Sequence, residues 1–312
     1  MEGCYVPSMS FSRRDLLAAS AGAVLPLNSP AKKRLRVAHF TDVHIQPELH
    51  AVEGTVKAWR HLMGQHPRPD LVLVGGDMVM DAWSADRDRT KLQWDLYHRT
   101  RKDNMDLPVH HAIGNHDIWG IDKGASHTSG QEGLWAKKWF LDAFGYARTY
   151  HSFDFADWHF VMLDNVLITP DGYNGMVDGD QFEWLKEDLS RTKKPTLLVS
   201  HIPLLSITGV VQGYQEKTGE WNVGGDVMTK NIDALRDLFL KNPHVKVAVS
   251  GHVHMVDRVD YAGVSYLCGG AVCGSWWKGW NAGFPPGYRL IDLYSDGTFE
   301  ERYVPWGWTA QA

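Results

Sequence analysis

Five short clusters along this 312-residue chain carry side chains that bind divalent metals or move protons: Asp42-Val43-His44, Gly76-Asp77, Gly114-Asn115-His116-Asp117, His201 and Gly251-His252-Val253-His254. Imidazole suits Zn, Fe and Mn, while carboxylate and amide oxygens suit Mn and Fe. None of the clusters contains a cysteine, which argues against a structural zinc site. The i, i+2 spacing of Asp42/His44 and of His252/His254 puts two donors of one extended segment on the same face. Glycine ahead of Asp77, Asn115 and His252 lets the backbone turn tightly and approach a ligand closely. Taken singly, Asp42, Asp77, Asn115 or His201 would pass for a turn or cap residue. Their order and their positions relative to the apolar segments are what point to a shared site.

Those apolar segments alternate between strand and helix. Leu35–Thr41, Asp70–Gly75, Pro108–Ile113, Pro195–Ser200 and Val245–Ser250 read as strands. Thr149–Phe155 and Trp158–Asp164 read as a hairpin turning at Ala156-Asp157. Helices are predicted over Val52–His66, Arg87–Lys102, Glu132–Phe144, Asp180–Leu189 and Asn231–Leu240, the fourth opened by Asp180 and Glu183 at capping-box spacing. The remainder is β-rich, with strands over Val256–Tyr261, Val264–Leu267, Tyr288–Tyr294 and Thr298–Val304. The alternation predicts an α/β fold in a single domain. Each chemical cluster follows the carboxyl end of a predicted strand. In an open α/β sheet those ends line one edge, so residues more than 200 positions apart can meet in one crevice.

The content and order of the five clusters resemble the calcineurin-like metallophosphoesterases, from Leu35 to about His254. The resemblance implies a four-layer α-β-β-α sandwich with its metal site at the carboxyl ends of the strands. It implies two divalent ions (Mn, Fe or Zn): Asp42, His44 and His254 on one, Asn115, His201 and His252 on the other, and Asp77 between them. It places His116 off the metals, stabilising the transition state or donating a proton to the leaving oxygen, with Asp117 orienting or charge-stabilising it. Two carboxylates against two dications leave a positive surplus that suits an anionic phosphate, and the neutral Asn115 preserves it.

Composition narrows the partners. The net charge is −5 and no basic run extends beyond Lys32-Lys33-Arg34, which argues against a nucleic-acid polymer; the resemblance implies a small phosphoester substrate. A small phosphodiester is the first expectation, a phosphomonoester the second, and a metal-retaining binding protein without catalysis the third. Residues 1–31 are read as a targeting segment: Ser12-Arg13-Arg14-Asp15-Leu16-Leu17 resembles a twin-arginine export signal. The apolar stretch to Leu27 is too short for a stable membrane span, and Ser29-Pro30-Ala31 offers a cleavage site before Lys32. Export to the periplasm or beyond is the corresponding expectation, and residues 32–312 form the catalytic domain with its Trp-rich tail. Two features stay open at this level. Trp276-Trp277-Lys278-Gly279-Trp280 with Phe284 is either an aromatic wall at the site's rim or a hydrophobic cluster closing the tail. Cys268 and Cys273 are either a disulfide or free thiols. His39, His110, His111, His151 and His159 are expected to pack on strands, and His50, His61, His66, His98, His127 and His244 to be solvated.

Overall fold

A computed structural model describes residues 33–310; the expected targeting segment, residues 1–31, and with it Cys4, lies outside the described residues. In chain order the elements are β1 (Lys33–Phe40), α1 (Ala51–Met63), β2 (Leu71–Val74), α2 (Arg87–Asn104), β3 (Val109–His111), α3 (Lys123–Ser126), α4 (Lys138–Phe144), β4 (His151–Phe155), β5 (Trp158–Met162), β6 (Val166–Thr169) and β7 (Gly172–Gly175). Then follow α5 (Gly179–Arg191), β8 (Thr196–Val199), α6 (Thr208–Gln212), β9 (Tyr214–Gln215), β10 (Glu220–Trp221), α7 (Ile232–Lys241), β11 (Val245–Ser250), β12 (Val256–Tyr261), β13 (Val264–Gly269), β14 (Gly287–Tyr294) and β15 (Phe299–Pro305).

Two sheets carry the architecture, in the orders β15-β14-β1-β2-β3 and β12-β13-β11-β8-β5-β4. The period-two pattern of each buried strand explains why they stack. In β1, Leu35 and Val37 face the other sheet, joining Leu71, Leu73, Leu197, Val199, Val247 and Val249 in a core between the sheets. Ala38 and Phe40, one residue out of phase, face outward into a second core with Trp59 of α1 and Trp94 of α2. On the far side Val161, Leu198, Ala248 and Tyr266 meet Leu185 and Leu189 of α5 and Leu235 and Phe239 of α7. Helix, sheet, sheet, helix is therefore the layer order, as expected.

The β-rich tail is not a layer of its own. β12 and β13 extend the second sheet, whereas β14 and β15 return to the first, β14 pairing antiparallel with β1. Three local expectations are corrected. The helix expected over Glu132–Phe144 is confined to Lys138–Phe144, because Ala136 exchanges two backbone hydrogen bonds with Trp119 (3.1 and 2.8 Å) and adopts a positive φ of 58°. α5 is capped by Asp178, not Asp180: the Asp178 carboxylate accepts from Gln181 N at 2.8 Å. The hairpins β6–β7 and β9–β10 were not anticipated, although Pro170-Asp171-Gly172 is a turn signal for the first. Of the histidines expected in solvent, His61, His98 and His244 are half-buried.

Candidate metal centre

β1, β2 and β3 run parallel, as do β5, β8 and β11 in the other sheet, so their carboxyl ends gather the five clusters. Asp42, His44, Asp77 and Asn115 come from the first sheet; His201, His252 and His254 come from the second. All seven converge. His44 Nε2 lies 3.1 Å from His254 Nε2, and His254 Nε2 lies 3.3 Å from Asp42 Oδ1. His201 Nε2 lies 2.9 Å from Asn115 Oδ1 and 3.2 Å from His252 Nδ1. Asp77 Oδ2 joins the two groups, 3.4 Å from His44 Nε2 and 3.2 Å from His201 Nε2.

The backbone is contorted to achieve this. Asp42, His44, Asp77, His252 and His254 all have positive φ, between 45° and 72°. Non-glycine residues seldom occupy that region, and such clusters of strain mark functional sites. The expected glycines are required at the turns. A Cβ on Gly114 would collide with Asp77 Oδ1, and one on Gly251 with Asp42 Oδ2, so a larger residue would occupy the place of a carboxylate.

Backbone carbonyls set the histidine tautomers. Nδ1 of His201 donates to Gly75 O at 2.9 Å, Nδ1 of His254 to Gly274 O at 2.6 Å, and Nδ1 of His116 to Met80 O at 2.6 Å. A carbonyl only accepts, so each Nδ1 carries the proton and each neutral ring keeps its Nε2 lone pair. In its neutral form, His201 has its Nε2 lone pair facing the oxygen of Asn115, acceptor to acceptor. Lone pairs that converge without hydrogens between them are the donor set of a cation, and the residues present fit a pair of divalent ions. Without a cation the carboxylates draw protons instead. Burial lowers the pKa of His201, but the charge and hydrogen bond of Asp77 outweigh it and hold the ring at about 9. Burial likewise raises Asp42, yet the neighbouring His254 and His201 bring it down to about 2.

Asp117 is not where the sequence reading put it. Its carboxylate makes no hydrogen bond with the His116 ring; it accepts backbone N–H groups from Asp77 (2.9 Å), Met78 (2.8 Å) and Gly114 (2.9 Å). It thus clamps the two turns that carry Asp77 and Asn115. His116 stands at the rim, its N–H on Asp77 Oδ1 at 2.9 Å and its ring centroid 4.7 Å from that of His44. Its ring offers a nitrogen close to His44 and Asp77, so geometry alone would also admit it as a ligand.

Although none of the five clusters contains a cysteine, a thiol lies beside the site. Cys273 Sγ lies 3.9 Å from His254 Nδ1, the nitrogen already engaged with Gly274, so the thiol sits behind the ring. Cys268 and Cys273 are both buried and free. Sequence reasoning missed Asn165, whose Oδ1 accepts from His201 N and Ile202 N, both at 3.2 Å. It follows β5 just as the other clusters follow their strands, so the strand-end rule could have found it.

Two stacked sheets with a buried, strand-end cluster of Asp, Asn and His fit a metal-dependent phosphoesterase. The chain belongs to the calcineurin-like phosphoesterase family, whose profile matches residues 35–256, and is accordingly a metal-dependent phosphoester hydrolase. It is 22% identical to a 3′,5′-cyclic-nucleotide phosphodiesterase of Nostoc sp., over 86% of this chain and 91% of that one. It is 24% identical to the 3′,5′-cyclic adenosine monophosphate phosphodiesterase CpdA of Escherichia coli, over 88% of this chain and 91% of that one. A dimetal phosphatase from Danio rerio shares the fold with a TM-score of 0.59 at 16% identity, over 84% of this chain and 94% of that one.

Proposed function

We propose that this chain hydrolyses a small phosphodiester with two divalent ions, Mn, Fe or Zn, held in two sets. Asp42, His44 and His254 form one set, Asn115, His201 and His252 the other, and Asp77 is shared. The observation that carries this reading is the placement of Asp77 Oδ2, within 3.4 Å of a donor from each set. When bound, the ions would supply a nucleophile from water at neutral pH and a counter-charge for the phosphoryl oxygens. The surplus positive charge favours an anionic substrate.

The chain's own residues do the rest. Asp117 fixes the turns bearing Asp77 and Asn115 through their backbone. His116, in its imidazolium form, donates Nε2–H to the leaving ester oxygen as the P–O bond breaks. It is left as the Nδ1–H tautomer that the Met80 carbonyl already selects. A diester is preferred over a monoester because the two relatives above, similar over nearly the whole chain, are named as cyclic-nucleotide phosphodiesterases.

The test compares initial rates on bis-p-nitrophenyl phosphate and p-nitrophenyl phosphate, with chelator and after Mn²⁺ reconstitution. Metal-dependent hydrolysis favouring the diester is expected. A monoester preference would make the enzyme a phosphomonoesterase, and metal-independent rates on both would overturn the reading. The Arg13-Arg14 pair ahead of an apolar run further supports export, with cleavage before Lys32. Replacing both arginines by lysine should retain the protein in the cytosol; unchanged export would remove this assignment.

A further inference from the structure

Trp276 and Trp277 both have positive φ, 47° and 69°, a conformation that bulky residues rarely adopt and that persists only where the surroundings over-determine it. The surroundings here are the metal-site motifs themselves. Cys273 N donates to Asp42 O (3.2 Å), Gly274 O accepts from His254 Nδ1, Trp277 Nε1 donates to His44 O (3.0 Å) and Asn281 Nδ2 donates to His254 O (3.3 Å). Trp277 is the anchor of this loop: 1% exposed, it packs on Gly54 of α1 and on Trp306 and Trp308 of the tail.

Anchoring Trp277 turns its neighbour the other way. The Trp276 ring lies 4.5 Å from His254 and 6.0 Å from His44, centroid to centroid, and is only half-buried. At the other end of the donor cluster Tyr173, also half-buried, stands 5.9 Å from His252, with Trp83 5.6 Å from it. Trp276 is not needed to orient His254, since the Gly274 carbonyl does that. Trp280, 64% exposed, makes no comparable contact with the donors among the described residues.

We infer that Trp276 is the face on which the organic part of the substrate stacks, with Tyr173 as the second wall. The site then selects phosphoesters carrying a planar aromatic or heteroaromatic ring over those of aliphatic alcohols. This rests on the phosphoesterase reading above and adds the substrate class. An indole offers the largest π-face of any side chain, and stacking on it accepts any flat ring.

The experiment measures Kd for AMP and for ribose 5-phosphate by calorimetry on the Mn²⁺-loaded full chain, with metal content determined in parallel. The two ligands share the phosphate and differ in the base. The variants are Trp276→Phe and Trp276→Gly, the latter compatible with the positive φ. Wild type should bind AMP more tightly. Trp276→Gly should weaken AMP roughly five- to hundredfold, the range for one base–aromatic stack, and thereby erase most of the difference between the ligands. Trp276→Phe should retain much of it. Equal affinities in wild type, or equal loss of both ligands in Trp276→Gly, would overturn the proposal. So would loss of metal, which would make Trp276 a support for His254. Because binding is read without turnover, failure of the phosphodiesterase reading would appear separately, in the rates on bis-p-nitrophenyl phosphate.

Discussion

Asp77 and Asp117 are both fully buried carboxylates, yet their surroundings give them different tasks. Burial pushes Asp77 up, but His201 and His116 hold it well below the usual carboxylate range, ionised and facing the donors of both sheets. Burial and the charge of Asp77 push Asp117 up to about 7, against the pull of the Gly114 and Met78 N–H groups it serves. Two substitutions separate holding metal from moving a proton. Asp77→Ala should lose both ions and nearly all activity, as elemental analysis of the purified variant would show; wild-type metal content would take Asp77 out of the shared position. His116→Ala should keep both ions and slow turnover by roughly 10²–10⁴, with a smaller loss on p-nitrophenyl esters, whose leaving group needs little protonation. A variant at full rate on a poor leaving group would remove His116 from the reaction.

At the scale of elements, the site depends on contacts that helix and strand propensities do not reveal. Gly54 lies within α1, where alanine would ordinarily add about 1 kcal/mol of stability. A Cβ there would run into the Trp277 ring, which holds His44 O and lies in the core. Gly54→Ala should therefore destabilise, by about 1–3 kcal/mol as an overpacked core does, and denaturant melts would give the sign directly. His159 on β5 bridges Asp154 of β4 (2.8 Å) and Asp188 of α5 (2.9 Å). Burial lowers its pKa, but the hydrogen bonds to Asp188 and Asp154 prevail and raise it above 6.5. A raised folded-state pKa stabilises fully below the unfolded value and is lost as pH rises through the folded one. The stability gap between wild type and His159→Gln should accordingly be wider below pH 6.5 than well above it. A gap that widened with pH would show that the ring does not act as a cation.

For the molecule as a whole, the proposed metal centre would be a cross-link. Four proposed ligands belong to one sheet and three to the other, so bound ions tie together the halves of the sandwich. Ions that bind only the folded state stabilise it by mass action. Chelation should lower the Tm by several degrees and Mn²⁺ should restore it, as calorimetry would record; an unchanged Tm would mean that the two sheets do not share the ions.

Much of this was legible in the amino-acid order alone. Strand and helix periodicity located the main elements, and the strand-end position of Asp42, His44, Asp77, Asn115, His201, His252 and His254 marked residues that the fold brings together, because period and sequence adjacency are local properties. The tertiary structure alone decided that β14 returns beside β1, that Asp117 serves backbone rather than His116, that Cys273 lies behind His254, and that Trp277 is core while Trp276 faces the donors. The reason is physical. Periodicity reports that a face is buried but not what covers it. Where a side chain points at a tight turn depends on the sign of φ, and at these turns long-range contacts override local preference.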